Sequence, residues 1–433
     1  MSKALKGRHG EIGAEQKPSR TVNIFQDSWL QFFGYALATL YLLYFVILYR
    51  AGTWIINGAG LPIYTDFACA WTAALQATSG HAASLYDPLK FVELQAAEVG
   101  PSDYIYPNWP YPPIFLLILA PFAALGYSHA FIVWDLLTLL GCVAVVYLIV
   151  RRRAAIAIAL AAPFTAWNFL AAQNGFLTAS LLGASLLFLE RRPVLAGVFI
   201  GWLTYKPQFG ILFPVALLAA RQWRAIASCA VTVAVLAGAA IAAFGAAVWT
   251  AFPEELAAQA GLNFRPDPDS NWAYLQTAYG LIRSLHGGVH LAWLVQGLVT
   301  LGGAITVWII WRSRVCYELK AAILTAAALL ATPYAFAYDM AAIVIPAAFL
   351  AADQLNHGLL RGEKAMWIVL FGAPLAALVS LGDNAVGTTF GGTPVCLFAA
   401  FMLFCVILRR ALRSSGQPSI TDSGPGLQPA SLR

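Results

Sequence analysis

The sequence predicts an all-α, polytopic integral membrane protein of about 12 transmembrane helices, and three observations carry that prediction. The 433 residues are 60% hydrophobic and only 11% charged, whereas a soluble domain carries about 25% charged residues. Apolar runs of roughly 17–23 residues recur along the chain, the length needed to cross a bilayer core. The Lys and Arg residues fall in short clusters between those runs, as they do in cytoplasmic loops. The net charge of +6 therefore points to membrane topology and to no nucleic-acid partner.

Residues 1–29 are polar and basic (Lys3, Lys6, Arg8, Lys17, Arg20) and read as a disordered cytoplasmic N-terminus. The run that follows is too long for a signal-peptide core and lacks a small-residue cleavage site, so it reads as an uncleaved first helix. Apolar helices are expected over 30–50, 128–150, 154–171, 174–190, 193–206, 207–220, 225–245, 289–311, 317–334, 337–353, 365–381 and 393–409. They form one transmembrane domain, 30–410, followed by a disordered cytoplasmic tail, 411–433. The stretch "PPIFLLILAPFAALG" (112–126) is apolar but short and interrupted by Pro121, which fits an interfacial or re-entrant segment. Leaving it outside the membrane places all but five of the 26 Lys and Arg residues (Arg50, Lys90, Lys206, Arg265 and Arg283) on the cytoplasmic side. Counting it as a span reverses every later loop, so twelve spans with both termini inside is the better solution. This is the topology of a multi-pass protein of the cell's inner (plasma) membrane.

Two large loops then face the outside, 51–127 and 246–288. The first holds amphipathic stretches around 66–78 and 86–98 and the segment "YPNWPYPP". Both loops are rich in aromatic residues, as expected of elements resting at the headgroup level. A transporter more often keeps such loops short, whereas an enzyme working at the outer face needs them.

The first loop contains Asp66, a lone carboxylate among aromatics. Thr65 fits a helix N-cap, and Phe67, Ala70, Trp71 and Ala74 share one face of the following helix. A carboxylate in a first turn either stabilises its own helix through the dipole or carries chemistry, and the residues alone leave both open. Lys206 says more. "GWLTYKPQFG" (201–210) interrupts an apolar hairpin whose arms, of about 13–14 residues, span roughly 20 Å. That is less than the hydrocarbon core, so the turn should sit below the outer surface, facing protein or a watery cavity. A lysine there is a functional candidate whose natural ligand is an anion; the alternative is snorkelling to lipid phosphates.

Gln173 and Asn174 in "AAQNGFL" mark a second outer-facing turn, and Tyr334, Tyr338 and Asp339 in "TPYAFAYDM" a third. Asp339 starts an apolar helix, and a capping role explains it as well as catalysis does. Arg283 and His286 end the second loop and are within reach of a phosphate. His81 and His129 read as interfacial. Asp135 lies inside a predicted span, where an interhelical hydrogen bond is expected. The six cysteines (69, 142, 229, 316, 396 and 405) have neither metal-ligand spacing nor a disulfide pattern. No phosphate-binding Gly-rich loop, dinucleotide fingerprint, HExxH or Ser/His/Asp pattern is present, so the reading calls for no cofactor and no metal.

The succession "DFACAW…LYDP…YPPIFLLILAPFAALG…QNGFLTASLLGASLLFLERRPVLAGVFIGWLTYKPQFGILFP" resembles glycosyltransferase family 87, over most of residues 64–225. This is a family of the C-type glycosyltransferase (GT-C) fold that includes polyprenyl-phosphate-mannose-dependent mannosyltransferases. The resemblance implies a GT-C transmembrane catalytic domain with juxtamembrane helices on its outer face. It implies that Asp66 is the catalytic base and that Lys206 and its neighbours meet the donor phosphate, with Arg283 a second phosphate contact and Gln173, Asn174, Tyr205, Gln208, Tyr334, Tyr338 and Asp339 expected to bind substrate. This chain carries Tyr334 where members often carry a histidine. The implied activity is transfer of a hexose, mannose above others, from a polyprenyl-phosphate sugar to a lipid- or glycan-linked acceptor at the periplasmic face. A lipid-linked-sugar flippase and a non-catalytic partner of an envelope-polysaccharide complex are the alternatives.

That chemistry accounts for a single carboxylate. A glycosidase needs a second carboxyl group to protonate its leaving oxygen. A phosphate leaves without that help, so one base suffices to deprotonate the acceptor hydroxyl as it attacks in line, with inversion.

Overall fold

The computed structural model describes residues 28–100, 108–264, 275–380 and 395–415. Arg265 and Pro268 of the second loop lie outside the described residues. Among the described residues the regular structure is helical apart from a two-stranded hairpin, Thr53–Trp54 with Ile56–Asn57. In order, the α-helices are α1 (Ser28–Arg50), α2 (Asp66–Thr78), α3 (Pro88–Val99), α4 (Ile114–Leu119), α5 (Tyr127–Val150) and α6 (Arg153–Ala161). Next come α7 (Pro163–Ala171), α8 (Gly175–Leu189), α9 (Pro193–Trp202), α10 (Phe213–Ala219), α11 (Trp223–Phe244) and α12 (Ala247–Phe264). The last six are α13 (Ala278–Ser284), α14 (Val289–Arg312), α15 (Tyr317–Ala331), α16 (Val344–His357), α17 (Glu363–Ser380) and α18 (Val395–Ser415).

Within the described residues each expected apolar run contains helix, but fewer of the helices are long. Among the described residues six segments are long and apolar enough to cross a membrane: α1, α5, α11, α14, Ala337–His357 and α18. The pair α6 and α7, bent by 59°, makes a seventh if it is taken as one broken span rather than a re-entrant loop. The single helix expected over 154–171 is broken there because Pro163 forces Ala162 into an extended conformation (φ −60°, ψ 130°). The arm expected over 207–220 contains a seven-residue helix preceded by a three-residue 3-10 turn. The helix expected from 337 begins as a 3-10 segment, Ala337–Ile343. The stretch 112–126 forms only the six-residue α4 and a five-residue 3-10 turn. At the C-terminal end α18 continues to Ser415, past the domain boundary expected at 410.

The core sits around α15 and α16. Residues 321–332 are all buried, and the "AAILTAAALLA" composition explains why, since small side chains let helices approach closely. The same device joins α9 to α11, where a Cβ on Gly197 would lie 2.5 Å from the carbonyl oxygen of Ala225. By contrast α1 and α14 present Phe33, Leu40, Leu43, Leu294, Leu298 and Leu301 outward, as lipid-facing helices do. At one end of the bundle, Arg410 of α18 pairs with buried Asp353 and, at 3.1 Å, with buried Glu363. That network ties α18 to α16 and α17. Asp135 is fully buried in α5, and neither carboxylate oxygen has a hydrogen-bond partner among the described residues. The interhelical bond expected for it is not seen among the described residues.

Candidate active site

Three turns expected to face outward converge with the start of α2. Asp66 is the first residue of α2, and the residue before it, Thr65, is extended as an N-cap should be. Thr65 does not cap with its side chain. Its hydroxyl lies 2.8 Å from that of Tyr127, which in turn donates to the carbonyl of Ile63. This bond and the buried Phe67 and Trp71 fix the helix on α5 and leave Asp66 on its open side. Asp66 accepts a hydrogen bond from Gln173 Nε2 at 3.0 Å. Although open to solvent on one side, it is otherwise enclosed by protein. Burial raises its carboxyl above the ordinary carboxylate value, and the Gln173 bond and the charge of Lys206 oppose that rise.

The Gln173–Asn174 turn is built from Asn168. The Asn168 side chain donates to the carbonyl of Gln173 at 2.9 Å and accepts from the N–H of Gly175 at 2.9 Å. Ala172 takes the left-handed conformation (φ 46°) that lets the chain reverse. Gly175 is required by contact, because a Cβ there would stand 2.3 Å from the carbonyl oxygen of Tyr338 and 2.5 Å from Asn168 Oδ1. The second and third turns are thus packed backbone to backbone.

Lys206 is held between two 3-10 turns, Leu203–Tyr205 and Pro207–Phe209, and is only 3% exposed. Its ammonium pairs with Asp339 Oδ1 at 2.5 Å. The rings of Tyr338 (5.3 Å), Tyr111 (5.8 Å) and Phe209 (5.8 Å) surround the rest of it, at distances where a cation is attracted to the ring face. Asp339 also accepts from the N–H of Phe336 at 3.0 Å. The capping role expected for Asp339 and its charge-pairing role are both present.

Tyr111 connects the two halves. Its hydroxyl accepts from Asn174 Nδ2 at 3.0 Å, beside the Gln173 that holds Asp66, while its ring lies against Lys206. A cavity of about 210 Å³ opens next to it, lined by Tyr111, Tyr205, Lys206, Gln208, Tyr334 and Tyr338 and, on the far wall, by Phe252, Leu256 and Gln259 of α12. The hydroxyl of Tyr205 is committed to Thr178 (2.6 Å) and the carbonyl of Asn174 (3.0 Å). Asp66, Gln173, Asn174 and Asp339 do not line this cavity; they lie behind and beside Tyr111. Arg283 lines it no more than they do. It is buried and donates to the carbonyl of Gly287 at 2.9 Å, on a helix whose Tyr279 packs with Leu275, Tyr334 and Phe336.

Sequence reasoning missed Tyr111, Asn168 and the α12 wall. Asn168 carried a signal, a polar residue inside an apolar helix. Tyr111 opens the "YPP" piece of the family resemblance, but nothing in that piece marks its hydroxyl. The α12 wall is anchored by buried Glu255, whose carboxylate accepts from Asn108 Nδ2 at 2.5 Å. Burial also raises the Glu255 carboxyl above its ordinary value.

No curated protein and no solved structure matches the chain. The sequence pattern of glycosyltransferase family 87 matches residues 109–333, a stretch that holds Tyr111, Gln173, Asn174, Tyr205, Lys206 and Arg283 and stops short of Asp66 and Asp339. It covers more than half of the 433 residues, and the chain belongs to glycosyltransferase family 87.

Proposed function

We propose that this membrane glycosyltransferase moves a hexose, mannose in the first instance, from a polyprenyl-phosphate sugar to a lipid- or glycan-linked acceptor, with inversion. The reaction takes place at the periplasmic face of the plasma membrane, with both termini in the cytoplasm. One observation supports the reading: a carboxylate and a desolvated cation are tied to the same tyrosine, Asp66 through Gln173 and the adjacent Asn174 that bonds the Tyr111 hydroxyl, and Lys206 through the Tyr111 ring. A base and a leaving-group cation must flank the anomeric carbon from opposite sides in an in-line displacement.

In this scheme Asp66 takes the proton of the acceptor hydroxyl as its oxygen attacks the anomeric carbon. The bond from that carbon to the phosphate oxygen breaks, and its electron pair leaves with the phosphate. Lys206 faces the charge that builds there, where low dielectric makes a fixed cation most effective. Tyr205, Gln208, Tyr334 and Tyr338 supply the aromatic and hydrogen-bonding walls that hold sugar and phosphate. Gln173 and Asn174 orient the base side, and Asp339 holds Lys206 until the phosphate arrives. Arg283, paired within its own loop, is at most an outer contact of the donor.

A general base of this kind contributes about 10²–10⁴-fold. Purified full-length protein in nanodiscs, given radiolabelled polyprenyl-phosphate hexoses and a membrane extract, should move label from the donor to a new lipid or glycan. Movement of intact donor across a sealed bilayer without sugar transfer would instead identify a flippase.

A further inference from the structure

We infer that Tyr111 is a further catalytic residue, whose hydroxyl donates a hydrogen bond to the leaving phosphate as the glycosidic bond breaks. The inference rests on the transferase reading above and assigns a group that the reading does not need.

Three observations lead to it. The first is charge balance: Lys206 is already neutralised by Asp339 at 2.5 Å, so the pair meets an arriving anion with no net charge. Growing negative charge on the phosphate then calls for further donors, and a neutral O–H supplies one without adding a buried charge. The second is an unspent proton. Asn174 Nδ2 donates to the Tyr111 oxygen, and no acceptor takes the Tyr111 proton among the described residues. The Tyr205 hydroxyl next to it is fully engaged. The third is position, because Tyr111 lines the cavity together with Lys206, and its hydroxyl bonds the residue next to the Gln173 that holds Asp66. Trp109 and Phe115 hold its ring, with centroids at 4.9 and 4.8 Å. Burial and the charges of Asp339 and Asp66 keep the phenol well above its ordinary value, so it enters the reaction protonated.

The balance of the step is unchanged. The acceptor proton goes to Asp66, the electron pair goes to the phosphate, and Tyr111 keeps its own proton throughout. Its bond strengthens as the phosphate passes from a singly charged diester to a monoester of nearly two charges. A group whose interaction grows along the reaction raises the rate of the chemical step as well as affinity.

Tyr111→Phe tests this, since it keeps the ring and its contacts and removes one hydroxyl. Two probes are bound to full-length protein in nanodiscs: an undecaprenyl monophosphate, standing for the leaving group, and an undecaprenyl-phosphate hexose. A hydrogen bond to a charged partner is worth about 10–100-fold in affinity. The variant should lose roughly that factor for the monophosphate and clearly less for the hexose diester, and single-turnover transfer should slow by a similar factor. Replacement of Tyr111 by 3-fluorotyrosine, which keeps the Asn174 bond with a more acidic hydroxyl, should restore both. A purely structural role weakens the two probes alike and lowers the melting temperature. Equal weakening, or none, overturns the inference while leaving an active wild type untouched. A wild type that binds neither probe overturns the transferase reading and the inference with it.

Discussion

Lys206 and Asp339 form a buried ion pair at 2.5 Å, with side chains only 4% and 1% exposed. The pair couples the turn between α9 and α10 to the start of the 3-10 segment before α16. Two buried charges are costly unless paired, and removing one partner leaves the other uncompensated. Lys206→Met should therefore lower stability by about 3–5 kcal/mol as well as abolish productive handling of the phosphate. The double variant Lys206→Met with Asp339→Asn removes both charges and should fold nearly as well as wild type while remaining inactive. Lys206→Arg should recover only part of the rate, because a planar fork does not replace a compact ammonium enclosed by three rings. Melting curves read beside single-turnover rates separate the two effects; an active double variant removes Lys206 from the site.

Gly175 is a geometric requirement. With a Cβ placed 2.3 Å from the Tyr338 carbonyl, Gly175→Ala must push the two turns apart. Overpacking of this kind costs about 1–3 kcal/mol. Because Gln173, Asn174 and Tyr338 ride on those turns, transfer should fall more than stability. Ala at 175 with wild-type kinetics would show that the turns have slack.

Much of this was legible in the sequence. The apolar runs fall where the helices are, and Asp66, the Gln173–Asn174 turn, Lys206 and Asp339 were singled out by polarity against an apolar background. What the sequence hid was partnership. The Lys206–Asp339 pair joins residues 133 positions apart, and no local pattern records such a contact. Lys206 read as a free cation for that reason. Tyr111 was hidden because one tyrosine among many gains meaning only from what its hydroxyl touches. Span lengths were overestimated where Pro163 and the 3-10 turns divide apolar runs, since hydrophobicity marks burial and not helix continuity.

The pH dependence follows from Asp66. Burial raises its carboxyl and the Gln173 bond opposes the rise. Transfer needs the ionised form, so the rate should fall as pH drops through a value above the ordinary carboxylate range. Gln173→Leu removes a bond that favours the ionised form, so the acid limb should move to still higher pH. The sign for stability is the reverse. A carboxyl raised in the folded state contributes stability below its unfolded value, lost as pH rises through the folded one. An acid limb unmoved by Gln173→Leu would mean that another group sets it.

Membrane orientation is tested by single-cysteine labelling with an impermeant reagent in a variant lacking the native cysteines. Position 89 on α3, 81% exposed, should label from outside, whereas positions 152, 223 and 362 should label only after permeabilisation. Asn108 is a poor reporter because it is buried against Glu255. Labelling of position 152 from outside would overturn the exclusion of 112–126 from the membrane and reverse every loop after it.

The central claim is that Asp66 is the base, and Asp66→Asn tests it most directly. An amide oxygen can still accept the Gln173 hydrogen bond, so shape is kept while basicity is lost. Single-turnover transfer from a saturating polyprenyl-phosphate hexose, in nanodiscs, should fall by about 10²–10⁴-fold, with donor affinity and melting temperature close to wild type. Retention of more than about a tenth of the wild-type rate, below the smallest loss a general base predicts, would make Asp66 a helix-start carboxylate and contradict the account.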